Sequence, residues 1–308
     1  MTGYNELRSS AAWRDLSARG RILAHGEDNA RLLHAMSSNH VQALEDGQGC
    51  YAFFLNAQGR IQADANILRC APDFWLDTEA TAHEALFAHI DKYIIADDVT
   101  LEDLATTHFE LGIEGPEAAA FLNSHLAPDG VEMKDDGYIA RINETGLDGF
   151  RIMYPIAQRE AWVERLKSLT EASEEAWETV RHEQGKPRFG VEILEKHLVQ
   201  ETRLMHGVHF SKGCYLGQEI VERVRARGAV HRGLASISIE TTNVPEVGAE
   251  VMSDGVKAGN LLSAVISPAE GRVVAFAMLS VDALSGAKPL ECAGAMASLR
   301  ASSAFAPR

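Results

Sequence analysis

The sequence predicts an α+β fold: two related α+β units followed by a small antiparallel β-barrel or sandwich. Three observations lead there. A pattern of strand, glycine turn, acidic residue and helix occurs around Gly26 and again around Gly115. Through the first two thirds of the chain, strand-like and helix-like segments alternate. From about His231 the texture changes to short apolar runs punctuated by Gly248, Gly255, Pro268, Gly271 and Gly286.

Taken in order, residues 1–18 read as a leader helix or a loose tail. Residues 21–25 are a short strand, and Gly26-Glu27-Asp28 turns into a helix with Asp28 as N-cap and Leu32, Leu33 and Met36 as its apolar stripe. The arrangement returns at 111–122, where Pro116 suits a first helical turn. This is a weak internal repeat of two units rather than a solenoid. Residues 50–55 form an apolar strand, Asn56-Ala57-Gln58-Gly59 turns, and the return strand alternates Ile61, Ala63, Ala65 and Ile67 with Gln62, Asp64 and Asn66. By pattern alone its polar side reads as a solvated sheet face.

Further strands are expected at 74–77, in the second half of 99–113, and at 138–142 and 149–154. Helices are expected at 81–94, 159–169 and 174–183. In these helices Trp162, Leu166, Trp177 and Val180 read as core. Residues 235–240, 249–252, 256–266 and 273–279 are the strands of the last unit, and 301–308 read as a disordered tail.

Two polar constellations stand out. In Arg181-His182-Glu183-Gln184-Gly185 a helix ends in a carboxylate, although acids are mildly disfavoured at helix C-termini. The octet Lys212-Gly213-Cys214-Tyr215-Leu216-Gly217-Gln218-Glu219 reads as a tight loop feeding a helix that ends at Gly228. A thiol at such a helix start, near Lys212 and several arginines, is expected to gain thiolate character, whereas a thiol buried between Gly213 and Gly217 is inert. His206, His209 and Cys214 are not read as a metal site, because Val208 and Phe210 alternate with the histidines as in a strand and a fourth ligand is missing.

The octet, with Arg232 beyond it, resembles the signature of the folate-binding YgfZ family, within the superfamily of the glycine-cleavage T-protein, an aminomethyltransferase. Gly59-x-Ile61-x-x-Asp64 is similar to the strand that carries the catalytic aspartate of that superfamily. Ala63 stands where its transferases have a neighbouring acid. Arg181-x-Glu183-x-Gly185 resembles the segment whose glutamate accepts hydrogen bonds from a pterin ring.

The resemblance implies a ring of three subdomains: a folate-binding region at 1–230, made of two interleaved α+β subdomains, and a C-terminal β-barrel at 231–308. The folate would lie in the central opening. It implies tetrahydrofolate or a one-carbon derivative as cofactor, bound by Asp64, Glu183 and Arg232, with Asp64 and Cys214 as the chemically active groups. The family motif is Lys212, Gly213, Cys214, Tyr215, Gly217, Gln218 and Glu219. The implied role is folate-dependent assembly or repair of iron–sulfur proteins, with iron–sulfur client or assembly proteins as partners. The alternative is a folate-dependent one-carbon, aminomethyltransferase-type enzyme. On this reading Glu183 and Cys214 look into a common hollow.

A formal net charge of −15 argues against a broad electrostatic grip on nucleic acid or an anionic membrane. It leaves room for a local basic pocket, for which Arg223, Arg225, Arg227 and Arg232 are candidates. Cys50, Cys70, Cys214 and Cys292 are scattered and show no Cys-x-x-Cys spacing. They suggest neither a disulfide framework nor a zinc or iron–sulfur ligand set. With no apolar signal-like segment at the start and no run of about 18 apolar residues, a reducing cytoplasm is the expected home.

Overall fold

In a computed structural model, which describes residues 1–228 and 230–305, the chain builds a six-stranded sheet, a five-stranded sheet and a closed barrel. Of the two readings of residues 1–18, a helix rather than a loose tail is present, and a strand follows it. Tyr4–Ser9 is a helix (α1) and Ala12–Asp15 a strand (β1). The strand escapes an alternation test because it lies inside the six-stranded sheet, with Ala12 and Trp13 on successive positions both buried.

The chain then crosses to the five-stranded sheet with β2 (Gly20–His25), helix α2 (Asn29–Met36), β3 (Gly49–Leu55), β4 (Ile61–Cys70), β5 (Asp73–Thr78), helix α3 (His83–Asp91) and β6 (Thr100–Asp103). It returns to the first sheet with β7 (His108–Glu114), helix α4 (Ala118–Leu122), β8 (Val131–Lys134), β9 (Gly137–Ala140), β10 (Gly149–Pro155), helix α5 (Arg159–Leu166) and β11 (Thr170–Glu171). The spatial orders are β11-β1-β7-β10-β9-β8 and β3-β4-β5-β2-β6. Helices α6 (Glu174–Gln184), α7 (Val199–Thr202) and α8 (Gln218–Arg227) follow. The barrel comes last: β12 (Arg232–Ile239), β13 (Glu250–Ser253), β14 (Val256–Ser267), β15 (Arg272–Ser280), helix α9 (Val281–Leu284), β16 (Leu290–Cys292) and β17 (Ala295–Leu299).

The repeat is structural. β2 leads through Gly26 into α2, and β7 leads through Gly115 into α4. Both glycines take positive φ, +115° and +130°, where a side chain is strained. An added Cβ would also lie 2.1 Å from the Asp98 carbonyl oxygen and 2.5 Å from that of Ser10. Asp28 does occupy the N-cap of α2, but its carboxylate accepts the Asp98 backbone N–H at 2.9 Å and caps nothing in its own helix.

The layer between the two sheets decides where chemistry can occur. On β4, Ile61, Ala63, Ala65 and Ile67 join the core formed with α2 and α3. The opposite face of the same strand carries Leu68 and Cys70, which pack with Trp75, Tyr138 and Met153 between the sheets. One or two steps along these strands the layer turns polar, with Asp64 and Asn66 on β4, Asp77 on β5 and Arg151 on β10. β7 sends Phe109, Leu111 and Ile113 to the helix-covered side, and its alternating Glu110 and Glu114 are fully buried on the other. The polar side of β4 is therefore not the solvated face its pattern suggested; a second sheet covers it.

The last unit is a closed barrel rather than a sandwich. Ile237, Ile239, Val251, Leu261, Val273 and Leu279 help to fill it. Leu234, Phe276 and Met278 point the other way and join the core of the five-stranded sheet. The expected disordered tail is docked where it is described. Arg300 donates to the Glu183 carbonyl at 2.9 Å, Ser302 to the Gly185 carbonyl at 2.8 Å, and the Phe305 ring lies 4.9 Å from the Arg203 guanidinium. Residues 306–308 lie outside the described residues.

Candidate functional site

The polar end of the inter-sheet layer opens as a narrow cleft of about 60 Å³. Asp64 and Asn66 come from β4, Tyr51 from β3, Asp77 from β5 and Arg151 from β10. Arg19 and Glu79 flank the strands, Glu144 comes from the loop before β10, and Lys186 to Phe189 come from the loop after α6. Leu204, His206 and Ala304 complete the wall.

Asp64 is 7% exposed. Its Oδ2 accepts the Tyr51 hydroxyl at 2.6 Å, and its backbone carbonyl accepts Thr78 Oγ1 at 2.5 Å. Loss of solvent pushes its pKa up to about 7. The Tyr51 bond and Arg19 pull downward, while the Glu79 and Asp77 charges add to the rise. A carboxyl poised near neutrality can take or lend a proton without a large driving force.

The other charges are tied to one another. Arg19 Nε donates to Asp77 at 2.6 Å, and its Nη1 pairs with Glu79. Asn66 donates to the second oxygen of Asp77 at 2.9 Å. Arg151 is buried among Glu110 and Glu114, both at 3.2 Å, and Glu144 at 3.8 Å. Arg188 reaches Glu178 at 2.7 Å. The cleft is far smaller than the roughly 300–1,000 Å³ of a typical ligand pocket, so a flat ligand enters as this net of side chains opens.

The residues singled out from sequence fall into four separate places. Asp64 lies in the cleft. Glu183 does not: its carboxylate accepts Tyr4 Oη at 2.6 Å and Ser267 Oγ at 2.5 Å, and meets Arg8 Nε at 3.3 Å. It ties α6 to α1 and the barrel, and these donors are why an acid is tolerated at that helix end. Cys214 is exposed on an outer groove lined by Arg31, Leu32, Met36, Tyr93 and Leu216. Glu183 and Cys214 therefore do not share a hollow, contrary to the sequence reading. Arg232 lies at the fourth place, at the start of barrel strand β12, with its Nε on Glu201 at 2.7 Å.

The octet is held from beneath. Lys212 is buried, and its ammonium donates to the carbonyls of His34 at 2.5 Å and Ser37 at 2.6 Å, closing the C-terminal end of α2. It also lies 4.8 Å from the Tyr215 ring. Gly217 takes φ +82° just before α8, and an added Cβ would lie 2.6 Å from the Asn56 carbonyl oxygen. Gln218 accepts the Tyr215 backbone N–H at 3.3 Å. Gly213 has room, its added Cβ meeting only His34 at 3.4 Å.

Much of the basic cluster on α8 is internally balanced. Glu219 pairs with Arg223, and Glu222 with Arg225, whose guanidinium also sits 4.4 Å from the Phe210 ring. The histidines nearby do not lie on a strand. Met205–Gly207 is a single helical turn, with His206 against Tyr51 and His209 against His40. Among the described residues no group of three or more His, Cys, Asp or Glu is placed to hold a metal ion.

Cysteine exposure sets a clear expectation. Burial pushes the Cys50 and Cys70 thiols up to about 12 and raises that of Cys292. Iodoacetamide at pH 8 is expected to alkylate Cys214 at least about tenfold faster than the other three, because the thiolate is the nucleophile. Peptide mapping of the native protein at short times reads this directly. Equal labelling of Cys50 would contradict it.

Comparison with known proteins places this architecture. The GCVT N-terminal domain family model matches residues 2–212, and the chain belongs to that family. An aminomethyltransferase of Nostoc is 27% identical over 94% of this chain and 82% of its own length. One from Rubrobacter xylanophilus is also 27% identical, over 92% and 80%. The crystal structure of the glycine cleavage system aminomethyltransferase T from Bartonella henselae superposes with a TM-score of 0.89 at 23% identity, covering 98% of this chain and 88% of that one; at that identity the likeness speaks for the fold. Aminomethyltransferases of this family use tetrahydrofolate as one-carbon acceptor. Among the described residues no helix is long and apolar enough to cross a membrane.

Several cleft residues escaped the sequence reading. Tyr51 sat in an apolar strand, and Arg19 fell between the segment 1–18 and the strand at 21–25. Glu144 lay between the strands expected at 138–142 and 149–154. Arg188 was the nearest to a signal, three residues past Gly185 in a segment already singled out.

Proposed function

We propose that this chain binds tetrahydrofolate, or a one-carbon derivative of it, in the cleft around Asp64. We further propose that it serves as an accessory protein in iron–sulfur cluster assembly or repair, as a YgfZ-type member of the family working in the cytoplasm. The observation that carries the first part is Asp64 itself: a buried carboxyl with a pKa of about 7, braced by Tyr51, at the floor of a cleft rich in acceptors and guanidinium groups. A pterin edge offers adjacent N–H donors, which a carboxylate accepts in pairs; an anionic tail suits Arg188 and Lys186. In this reading Asp64 replaces Glu183 as the acid that meets the ligand. When bound, the folate supplies the one-carbon carrier, and the chain's own part is to hold it, exclude water and manage a proton at Asp64. Residues 1–230 form the folate-binding region and 231–308 the barrel.

The iron–sulfur part rests on the intact octet, in which an exposed Cys214 stands on a loop anchored by buried Lys212. Aminomethyl transfer is the second reading, and the near-neutral Asp64 favours it. Calorimetric titration with tetrahydrofolate and with its formyl derivative tests the shared premise: heat is expected, and no heat with either removes both readings. Cys214→Ala is expected to leave that heat unchanged while abolishing rescue of iron–sulfur enzyme activity in cells lacking the protein. Full rescue would remove the accessory role and leave the transferase.

A further inference from the structure

A cavity of about 340 Å³ lies between barrel strands β14 and β15 and the turn before α7. It shares no lining residue with the Asp64 cleft. Its wall carries Lys196, His231 and Arg232 and no carboxylate. Glu201, the acid that pairs with Arg232, is already committed, with one oxygen on Arg232 Nε at 2.7 Å and the other on the Leu198 N–H at 2.9 Å. That leaves the outer edge of the Arg232 guanidinium for a ligand.

His197 completes the set. It is 1% exposed, and its Nδ1 accepts the Leu194 N–H at 3.2 Å, which puts the ring proton on Nε2. Burial pulls its pKa down to about 4, so this neutral tautomer persists near pH 7. Among the described residues no acceptor takes the Nε2 proton. The histidine lines the cavity, where this N–H can meet a ligand. Ala258, Leu262 and Met278 supply an apolar floor. Donors at one end and hydrocarbon beneath them describe a ligand with an anionic head and a compact apolar body. The space exceeds what a bare anion fills. The protein's net charge of −15 disfavours large polyanions, so the ligand is small.

We propose that this cavity is a second anion site, independent of the folate cleft, which takes an organic phosphate monoester through Lys196, His231, Arg232 and the Nε2–H of His197. Phosphate is preferred over carboxylate because its tetrahedral oxygens can meet donors arriving from several sides, where a planar carboxylate meets one fork.

The test is calorimetric titration of the full chain with phenyl phosphate, inorganic phosphate and phenylacetate. Phenyl phosphate is expected to bind at least about tenfold more tightly than either of the others. Lys196→Glu, at an exposed position, should weaken it at least about tenfold with tetrahydrofolate affinity unchanged, and Arg232→Gln should weaken it by at least as much. Circular dichroism of each variant confirms that it is folded, and Lys196→Glu stands as the readout should Arg232→Gln unfold. No binding of phenyl phosphate, equal binding of phenylacetate, no loss in Lys196→Glu, or displacement of phenyl phosphate by tetrahydrofolate would each overturn the proposal.

Discussion

Asp64→Asn is expected to stabilise the protein by about 2–4 kcal/mol at pH 8 and by almost nothing at pH 4. The carboxyl has an ordinary value of 3.8 and a folded value of about 7, because burial disfavours its charged form. Between those values the folded chain holds a proton that the unfolded chain has released. Stability therefore falls as pH rises through this window, and the full penalty is present above pH 7. Each pH unit that separates the folded value from the unfolded one costs about 1.4 kcal/mol, and the lower end of the range allows for relaxation around the ionised group. Asparagine keeps an oxygen for the Tyr51 hydroxyl but cannot ionise, so it resembles the protonated acid and escapes the penalty.

The same substitution should remove function. Tetrahydrofolate affinity of the unaltered protein is expected to fall as pH drops below about 7, and the variant should bind weakly with a flat profile. Urea unfolding at pH 4.5 and pH 8, with calorimetry at pH 6 and pH 8, reads both effects. An equal stability difference at the two pH values would mean that Asp64 ionises normally, and the cleft would lose its proton-handling group. A gain in stability at the cost of binding is the pattern expected of a residue retained for chemistry.

The fold was legible wherever one side of an element met solvent. The repeat around Gly26 and Gly115 could be read because each turn needs positive φ and tolerates no side chain. The barrel could be read from short strands and glycine punctuation. What failed was the inference from alternation to exposure. On β4 and β7 the polar positions Asp64, Glu110 and Glu114 alternate with apolar ones as on a half-wet sheet, yet all three are buried. A sequence records the period of a strand and not what covers its second face, and here a sheet built from distant residues covers it. The same gap misplaced Glu183: the segment was found, but Tyr4 and Ser267, 179 and 84 residues away, decide where its carboxylate points.

Arg181→Met is expected to destabilise the protein by about 3–5 kcal/mol, lowering its melting temperature on the order of 10 °C. In the Arg-x-Glu-x-Gly segment the arginine, rather than the glutamate, shapes the cleft. Its guanidinium is fully buried and reaches both oxygens of Glu192, at 2.9 and 3.0 Å, as well as Glu178 at 2.8 Å and the Lys186 carbonyl at 2.7 Å. Glu192 is also fully buried; it accepts the Arg188 N–H at 2.9 Å and Ser263 Oγ at 2.5 Å. These bonds fold the loop that contributes Lys186 to Phe189 to the cleft. Removing only the arginine strands a buried carboxylate, and that charge, more than the lost pair, sets the cost.

Two consequences separate this account from a simple loss of packing. Adding Glu192→Gln to Arg181→Met should recover at least half of the loss, since the amide oxygen can still accept the Arg188 N–H, its NH2 can donate to Ser263 Oγ, and it carries no charge. The deficit of Arg181→Met should also shrink as pH is lowered. In the unaltered protein Arg181 holds Glu192 below its ordinary value, so the pair's stabilisation is present above that value and is lost as pH falls through the folded pKa. In the variant the stranded acid takes up a proton instead, and protonation relieves it. A double variant no more stable than Arg181→Met, with a deficit that does not change between pH 8 and pH 5, would show that the guanidinium acts by filling space and not by its charge.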